Sequence, residues 1–497
     1  MDGGQEIPKI PARPDEGEPG VRVGVDDWVA THEGRRERRR GPLGRIQLEI
    51  ERTPRPAFYV AFGVAAALIP ALTNNGYVIR VGFDTLLYML LCLGLNVVVG
   101  YAGLLDLGYI AFFGFGAYMY AMLASPHFGL HWDTLFVVPI AVVATGLLGL
   151  LVALPSRRLV GDYLAIVTLF FGQLFYTVYQ NGSRISLLGI GKHSWDVTGG
   201  PNGIVDIDNW NLAGLKIGSV QGYYYAALVV FLLSLTAVFL IDTSRTGRAW
   251  KSLREDPLAA ELMGIPVNRL KLVAFALSAA IGGLAGTLFA GLNTAVFAAD
   301  FYTPTLIIVY AMLILGGAGS LGGVIIGAIV VNVSLEALRT PGHATWIFYT
   351  VIVASIVAKV RPWRWVVIIL GGTIGLGYVL VAIANQWFPR WTAGAPTIGG
   401  WLGNWLNQWV LHPSNPQMIG NVAFVILVFA VLGLILLKPV LLWLAMIPTL
   451  YLAAFVWQNR LVVEPSITRL ILVGVILIVL MNARPQGLLG AARVEIV

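Results

Sequence analysis

Charge is scarce in this sequence. Asp, Glu, Lys and Arg together supply 12% of its 497 residues, against about a quarter in soluble domains. Hydrophobic residues make up 57%, more apolar surface than a water-soluble fold keeps dry. Cysteine is nearly absent: Cys92 stands alone, which excludes an internal disulfide. The six histidines, His32, His127, His131, His193, His343 and His412, are scattered without metal-ligand spacing. No clustered catalytic set is present either, so no catalytic residue, metal or cofactor is assigned. The net charge of +7 looks like a nucleic-acid signal, but the basic residues are spread over loops between apolar runs, so no nucleic-acid partner is expected. Residues 1–56 lack an apolar h-region, and no cleavable signal peptide is expected there. This stretch is rich in Pro, Gly and charge, the composition of a disordered cytoplasmic extension.

What the sequence has in abundance is apolar runs long enough to cross a bilayer, which takes roughly 20 residues each. The candidate spans are 57–73, 83–100, 106–124, 134–154, 163–180, 223–242, 272–291, 303–318, 321–338, 345–360, 365–387, 419–437, 439–457 and 466–482. An all-α polytopic bundle of about fourteen spans follows. Several runs are short, and 303–338 has room for a half-helix or re-entrant piece. An even number of spans puts both termini on one side. With the N-terminus inside, the inner segments hold 25 Lys and Arg and the outer segments 8, so the excess of basic residues on cytoplasmic loops predicts N-in and C-in.

The most informative loop is 247–272, GRAWKSLREDPLAAELMGIPVNRLKL, on the predicted inner side. It carries its own short helix, built from Glu255, Asp256, Pro257, Leu258, Ala259, Ala260, Glu261, Leu262, Met263 and Gly264. Asp256 is a good N-cap, and Pro257 suits the first helical position. Gly264 can take the left-handed conformation that ends a helix, and Pro266 prevents continuation. Leu258 and Leu262 share one face at i, i+4. Such a helix either fits a groove on a cytoplasmic partner or lies on the lipid interface.

Polar residues within the apolar runs form a second candidate group, a translocation path of Asp106, Tyr109, Thr168 and Gln173. Asp106 sits in a glycine-flanked break, where it either serves transport or caps the helix that begins near Leu107. Broken helices in transporters present free helix ends to substrate. Thr168 and Gln173 face either a water-filled path or a neighbouring helix. Asp162, after Arg157 and Arg158, fits a helix cap or an ion pair. On the predicted outer side, Thr198, Gly199, Gly200, Pro201, Asn202 and Gly203 form a glycine-rich turn. It either offers backbone amides to a ligand or docked protein, or is a plain surface turn.

Two nucleotide-motif matches are rejected. Gly317-Ala318-Gly319-Ser320-Leu321-Gly322 fits GxGxxG but lacks a βαβ context. Gly191-Lys192 is followed by His193, where a P-loop needs Ser or Thr. The glycines at 316–327, and Gly282 with Gly286, are expected instead to let helices pack closely.

Taken together, GYAGLLDLGYIAFFGFGAY (100–118), GDYLAIVTLFFGQ (161–173), TGGPNGI (198–204), LILGGAGSLGGVIIGA (313–328) and RPQGLLG (484–490) resemble the LivM-type branched-chain amino-acid permease family. The short loop helix is similar to the coupling helix of ABC-importer permeases. The resemblance implies an ATP-driven importer permease subunit in the bacterial inner membrane, carrying branched-chain amino acids. Its implied partners are a homologous second permease, two cytoplasmic ATP-binding subunits and an extracytoplasmic substrate-binding protein. ATP hydrolysis is expected in the partners, not in this chain. A urea or short-amide permease of the same family is the near alternative, and an ion-coupled secondary transporter the distant one.

The resemblance covers 57–338 and 466–490. Residues 339–465 depart from it and are expected to be an inserted module with extra helices and a Trp-rich outer loop. Ten of the fifteen Trp fall within 346–457, as expected of an aromatic belt against lipid or of a grip on a partner. The expected organisation is therefore 1–56 extension, 57–338 permease core, 339–465 inserted module, and 466–497 final helix with cytoplasmic tail.

Overall fold

The computed structural model describes residues 55–73, 75–156, 161–184, 196–212, 214–394, 399–434, 436–437 and 439–462, and beyond them positions 464, 468, 470, 471, 474, 478 and 487–489. By contacts the chain divides into Met1–Val64 and Ala65–Val497. The described part of the first unit is the opening of the first helix, where Phe58 and Tyr59 meet edge to face. The predicted extension 1–56 and most of the predicted span 466–482 lie outside the described residues.

The described chain is almost wholly helical. Its helices are α1 (Arg55–Leu72), α2 (Gly76–Leu95), α3 (Tyr109–Leu123), α4 (Thr134–Ser156), α5 (Asp162–Asn181), α6 (Val220–Thr243), α7 (Arg245–Glu255), α8 (Pro257–Leu262), α9 (Val267–Asn293), α10 (Thr303–Gly316), α11 (Leu321–Ala337), α12 (Pro341–Lys359), α13 (Trp363–Trp387), α14 (Gly400–Trp409), α15 (Pro416–Leu434) and α16 (Pro439–Val456). Each predicted span from 57–73 to 439–457 overlaps one of them. Among the described residues, eight helices are long and apolar enough to cross a membrane alone. The helices α11 and α12 join them only as a pair bent by 115° at the 338–340 break. The helices α1, α3 and α10 are apolar but shorter. The Trp-rich segment predicted as loop contains a helix, α14.

Local sequence explains seven of these sixteen helix starts. The side chains of Asn75, Ser219, Ser244, Asp256 and Ser320 each accept a backbone amide at the head of a helix, satisfying donors that the helix leaves free. Proline occupies the first turns of α8, α10 and α12, where its missing N–H costs nothing.

The helix α9 is the axis of the first half. At 27 residues it is about 40 Å long, and it packs chiefly on α3, α4 and α2. Glycine makes the α3–α9 crossing possible. A Cβ on Gly116 would lie 2.2 Å from the Gly283 carbonyl, and one on Gly286 would lie 2.3 Å from the Phe113 carbonyl. This close approach matches the expectation for Gly286. Gly282 is less crowded, with its nearest neighbour the Tyr109 hydroxyl at 3.3 Å. The GxGxxG segment is a turn between α10 and α11, and Gly316 presses on the Gly323 backbone.

The two ends of α9 carry different structures. Beyond its C-terminus, β1 (Ile204–Val205) pairs antiparallel with β4 (Ala295–Val296), with Ile204 opposite Val296. Nearby, β2 (Trp210–Leu212) and β3 (Leu215–Ile217) form a hairpin, with Trp210 opposite Ile217. The indole of Trp210 donates to the Thr287 carbonyl at 3.1 Å, and its backbone amide donates to the Tyr223 hydroxyl at 2.7 Å. At the N-terminal end of α9 lie α7, α8, the irregular stretch 102–108 and the α10–α11 turn.

The helices α12–α16 have cores of their own. One gathers Leu406, Trp409, Val410, Ala423, Tyr451, Ala454 and Phe455, and another Ile356, Val360, Val366 and Ile369. Leu338, at the end of α11, joins Ala344 and Trp457 in a third. Backbone amides of Leu488 and Leu489 return to the Leu315 and Gly316 carbonyls at 2.9 and 3.0 Å, so residues 487–489 lie beside the first-half helices.

Candidate functional site

The helices α7 and α8 form a rigid outcrop. Ser244 caps α7, and the buried indole of Trp250 donates to the Leu270 carbonyl at 3.0 Å, fastening α7 to the start of α9. Asp256 Oδ1 accepts the amides of Leu258 and Ala259 at 2.8 and 3.1 Å. At the far end Gly264 has φ +80°, and the Ile265 amide reaches back to the Ala260 carbonyl at 3.0 Å, a left-handed closure of the kind glycine permits. Both ends of α8 are therefore fixed by local hydrogen bonds. Ala260 faces inward, whereas Leu258, Leu262 and Met263 are 68%, 80% and 81% exposed. The predicted Leu258 and Leu262 face exists, and Met263 extends it.

Behind this outcrop lies a break in α2. The helix passes into a wider turn over Asn96–Tyr101 and then loses regular structure up to Gly108. Such wide turns mark places where a helix is remodelled for function. Asn96 Oδ1 accepts the Gly319 amide at 2.8 Å. The guanidinium of Arg254, at the end of α7, donates to the Gly100 carbonyl, and its side chain packs where a Cβ on Gly103 or Gly319 would stand. One arginine thus joins the α7–α8 outcrop to the broken end of α2 and the α10–α11 turn.

Three of the four predicted path residues come together at this break. Asp106 is buried and accepts the Gly108 amide through Oδ1 at 3.0 Å. Its carbonyl accepts the Tyr310 hydroxyl at 2.6 Å. Thr168 Oγ1 accepts the Leu107 amide at 3.0 Å and donates to the Ala165 carbonyl. The buried Tyr109 sits against Gly94 and Gly282. The helix α3 starts at Tyr109, two residues later than expected, with Gly108 at its N-cap and no side-chain cap. Asp106 therefore organises the turn before the helix, while its Oδ2 is buried without a hydrogen-bond partner. Gln173 does not join them, because its side chain is exposed on α5. Of Asp162, only the backbone position at the start of α5 is described, and Gly191-Lys192 lies outside the described residues.

The glycine-rich turn 198–203 is built into the opposite end. Gly199, Gly200 and Gly203 all have positive φ, from 57° to 70°. A Cβ on Gly199 would meet the Gly203 carbonyl at 1.9 Å, and one on Gly203 the Val296 carbonyl at 2.2 Å. Thr198 donates to the Tyr179 carbonyl at 2.8 Å. The amides of Gly199, Gly200 and Gly203 are already bonded within the turn or to Asp196. The glycines therefore permit a tight knot that ties the end of α5 to β4, and only Pro201 and Asn202 are presented outward.

Residues 77–360 match the family described as branched-chain amino acid transport system / permease component. The chain belongs to this family. It is 39% identical to the high-affinity branched-chain amino acid transport system permease protein LivM of Escherichia coli strain K12 over 305 residues, covering 57% of this chain and 68% of that relative. It is 37% identical over the same length, with the same coverage, to the LivM of Salmonella typhimurium strain LT2. The permease protein LivH of that Salmonella strain is 24% identical over 274 residues, or 51% of this chain and 82% of LivH. No solved structure matches. These matches do not favour the urea or short-amide alternative.

The family region contains the α2 break, α7, α8 and the α10–α11 turn, so both parts of the candidate site lie within permease sequence. Reading the sequence missed Arg254. Its role depends on Gly100, 154 positions away.

Proposed function

We propose that this chain is one of two permease subunits of an ATP-driven importer of branched-chain amino acids in the bacterial inner membrane. It works with a homologous second permease, two cytoplasmic ATP-binding subunits and an extracytoplasmic substrate-binding protein. The observation that carries the reading is the capped, outward-facing helix α8, standing on Arg254 and the α2 break inside family sequence. The α8 end faces the cytoplasm, a placement that the 25-to-8 division of basic residues supports. Both termini lie on that side, and the chain crosses the membrane about fourteen times.

ATPase closure pushes on Leu258, Leu262 and Met263. Because α8 is pinned at both ends, it passes the motion to α7 rather than absorbing it. Arg254 then carries it to Gly100 and the Gly319 turn, rocking the short helices α3 and α10 around the path. Asp106 and Thr168 keep the turn before α3 intact during that motion. Residues 339–465 are an inserted membrane module whose first helix, α12, still lies within the family match; the cores of α12–α16 and the return of 487–489 to Leu315 and Gly316 support it.

Affinity purification of the tagged chain from its native membrane tests this reading. A second permease and two ATP-binding subunits should co-purify, and reporter fusions at residues 30 and 497 should both report cytoplasm. Isolation of the chain without any ATPase, with leucine uptake intact, would overturn it.

A further inference from the structure

A cavity of about 530 Å³ opens between α2, α10 and α11, away from the α8 outcrop. Its size is within the roughly 300–1,000 Å³ of small-molecule sites. Arg80, Asp84, Leu87 and Leu91 line it from α2 at spacings of four, three and four, a single helical face about 16 Å long. The face is charged at its start and apolar deeper in. Asp300 and Glu336 continue the charged mouth, and Phe113 and Ile308 continue the apolar wall.

The charges at the mouth are unevenly matched. Arg80 Nε lies 3.3 Å from Asp84 Oδ2, and its Nη2 donates to Asn293 Oδ1 at 2.7 Å. Nη1 has no partner among the described residues. Glu336 accepts from Arg339 at 3.0 Å and from the Tyr77 hydroxyl. The Asp300 carboxylate accepts the Phe297 amide at 3.1 Å, its backbone carbonyl accepts the Thr305 hydroxyl at 3.3 Å, and no basic side chain pairs with it among the described residues. Among the described residues, the mouth therefore combines a carboxylate that no cation pairs with and a guanidinium that has donors to spare, above a wall without charge.

We propose that this cavity is a substrate subsite for an α-amino acid with a branched apolar side chain. The ammonium sits on Asp300, the carboxylate on Arg80, and the side chain against Leu87, Leu91, Phe113 and Ile308. A sugar leaves Asp300 uncompensated, a simple carboxylate adds a second negative charge beside it, and a basic amino acid carries its charge into the apolar end. The inference rests on the import reading above and adds to it that the permease itself selects cargo by charge pattern and side-chain shape.

The test uses the transporter purified in detergent without its substrate-binding protein, which would itself bind leucine, with radiolabelled leucine as the probe. Asp300→Asn should weaken equilibrium binding of leucine by about tenfold or more, the loss expected for one charge-assisted hydrogen bond. Leu91→Phe, which fills the apolar end, should lower leucine binding more than valine binding. The single cysteine allows a second measurement: an Ile308→Cys variant in a Cys92→Ala background should react with maleimide, and leucine but not glucose should slow the reaction. Wild-type leucine binding with unchanged affinity and leucine-to-valine ranking in both site variants would overturn the subsite alone. So would an Ile308→Cys variant that labels in the isolated chain but not in the complex, since the second permease would then fill the cavity. Absence of any branched-chain amino-acid import by the wild-type complex would instead overturn the import reading, and the subsite with it.

Discussion

Leu262→Asp should separate docking from folding. Leu262 is 80% exposed on α8, so within this chain the change removes little packing, and surface substitutions of that kind usually stay within about 0.5 kcal/mol. In the docked state the same side chain is buried. Losing it forfeits about 1.5–3 kcal/mol of apolar transfer, and placing a carboxylate in the groove adds a desolvation penalty. The expected weakening of ATPase binding is at least about thirtyfold, as 1.4 kcal/mol is a factor of ten. Gly264→Val reaches the same end by another route. No atom lies within 4 Å of where its Cβ would stand, but φ is +80°, so the cost is backbone strain of about 1–2 kcal/mol and a redirected helix end. The assay is co-purification of the ATPase subunits with substrate-stimulated ATP hydrolysis, with membrane abundance as the control. Normal abundance with lost stoichiometry supports the docking role. Normal stoichiometry and normal coupling in both variants would refute it.

Three further outcomes are expected. Arg254→Met should leave the ATPases bound but lower leucine uptake per ATP hydrolysed, because the link from α7 to Gly100 is cut while the α8 face is untouched; unchanged coupling would remove Arg254 from the transmission path. Gly116→Val should cost about 1–3 kcal/mol or more by forcing α3 from α9, read as a lower detergent denaturation temperature; an unaltered temperature would mean that the crossing is looser than its 2.2 Å clearance implies. Deletion of 339–465 with a short linker should still permit uptake, and a deletion that inserts and assembles yet transports nothing would show that the module is essential.

The legible features were those written in adjacent residues. Asp256, Pro257 and Gly264 specify both ends of α8 within one short segment, so this helix could be drawn from sequence with its exposed leucines, although Glu255, counted with it there, ends α7. The apolar runs gave the helices because each satisfies its own backbone in a bilayer. The start of α3 was read two residues early because the bond of Asp106 to Gly108 closes a turn before the helix, an arrangement that a cap pattern resembles. The role of 198–203 stayed open in the sequence for a different reason. Positive-φ glycines serve both exposed amides and tight packing, and only the nearness of Val296 and Tyr179 decides between them. Gln173 has the composition of a path residue, but the face on which it lies is set by packing that α5 alone does not encode. The Arg254–Gly100 contact, the two-residue β1–β4 pairing and the cavity mouth join positions far apart in sequence, and no local pattern announces any of them.

The central claim is that this chain conducts branched-chain amino acids under the control of ATP-binding partners that dock on α8. Leucine uptake into proteoliposomes holding the complete transporter and its binding protein tests it most directly, with and without ATP and with and without an imposed ion gradient. The account predicts uptake that requires ATP, is indifferent to the gradient, and disappears with Leu262→Asp. Gradient-driven uptake by this chain alone, without ATP or partners, would contradict it.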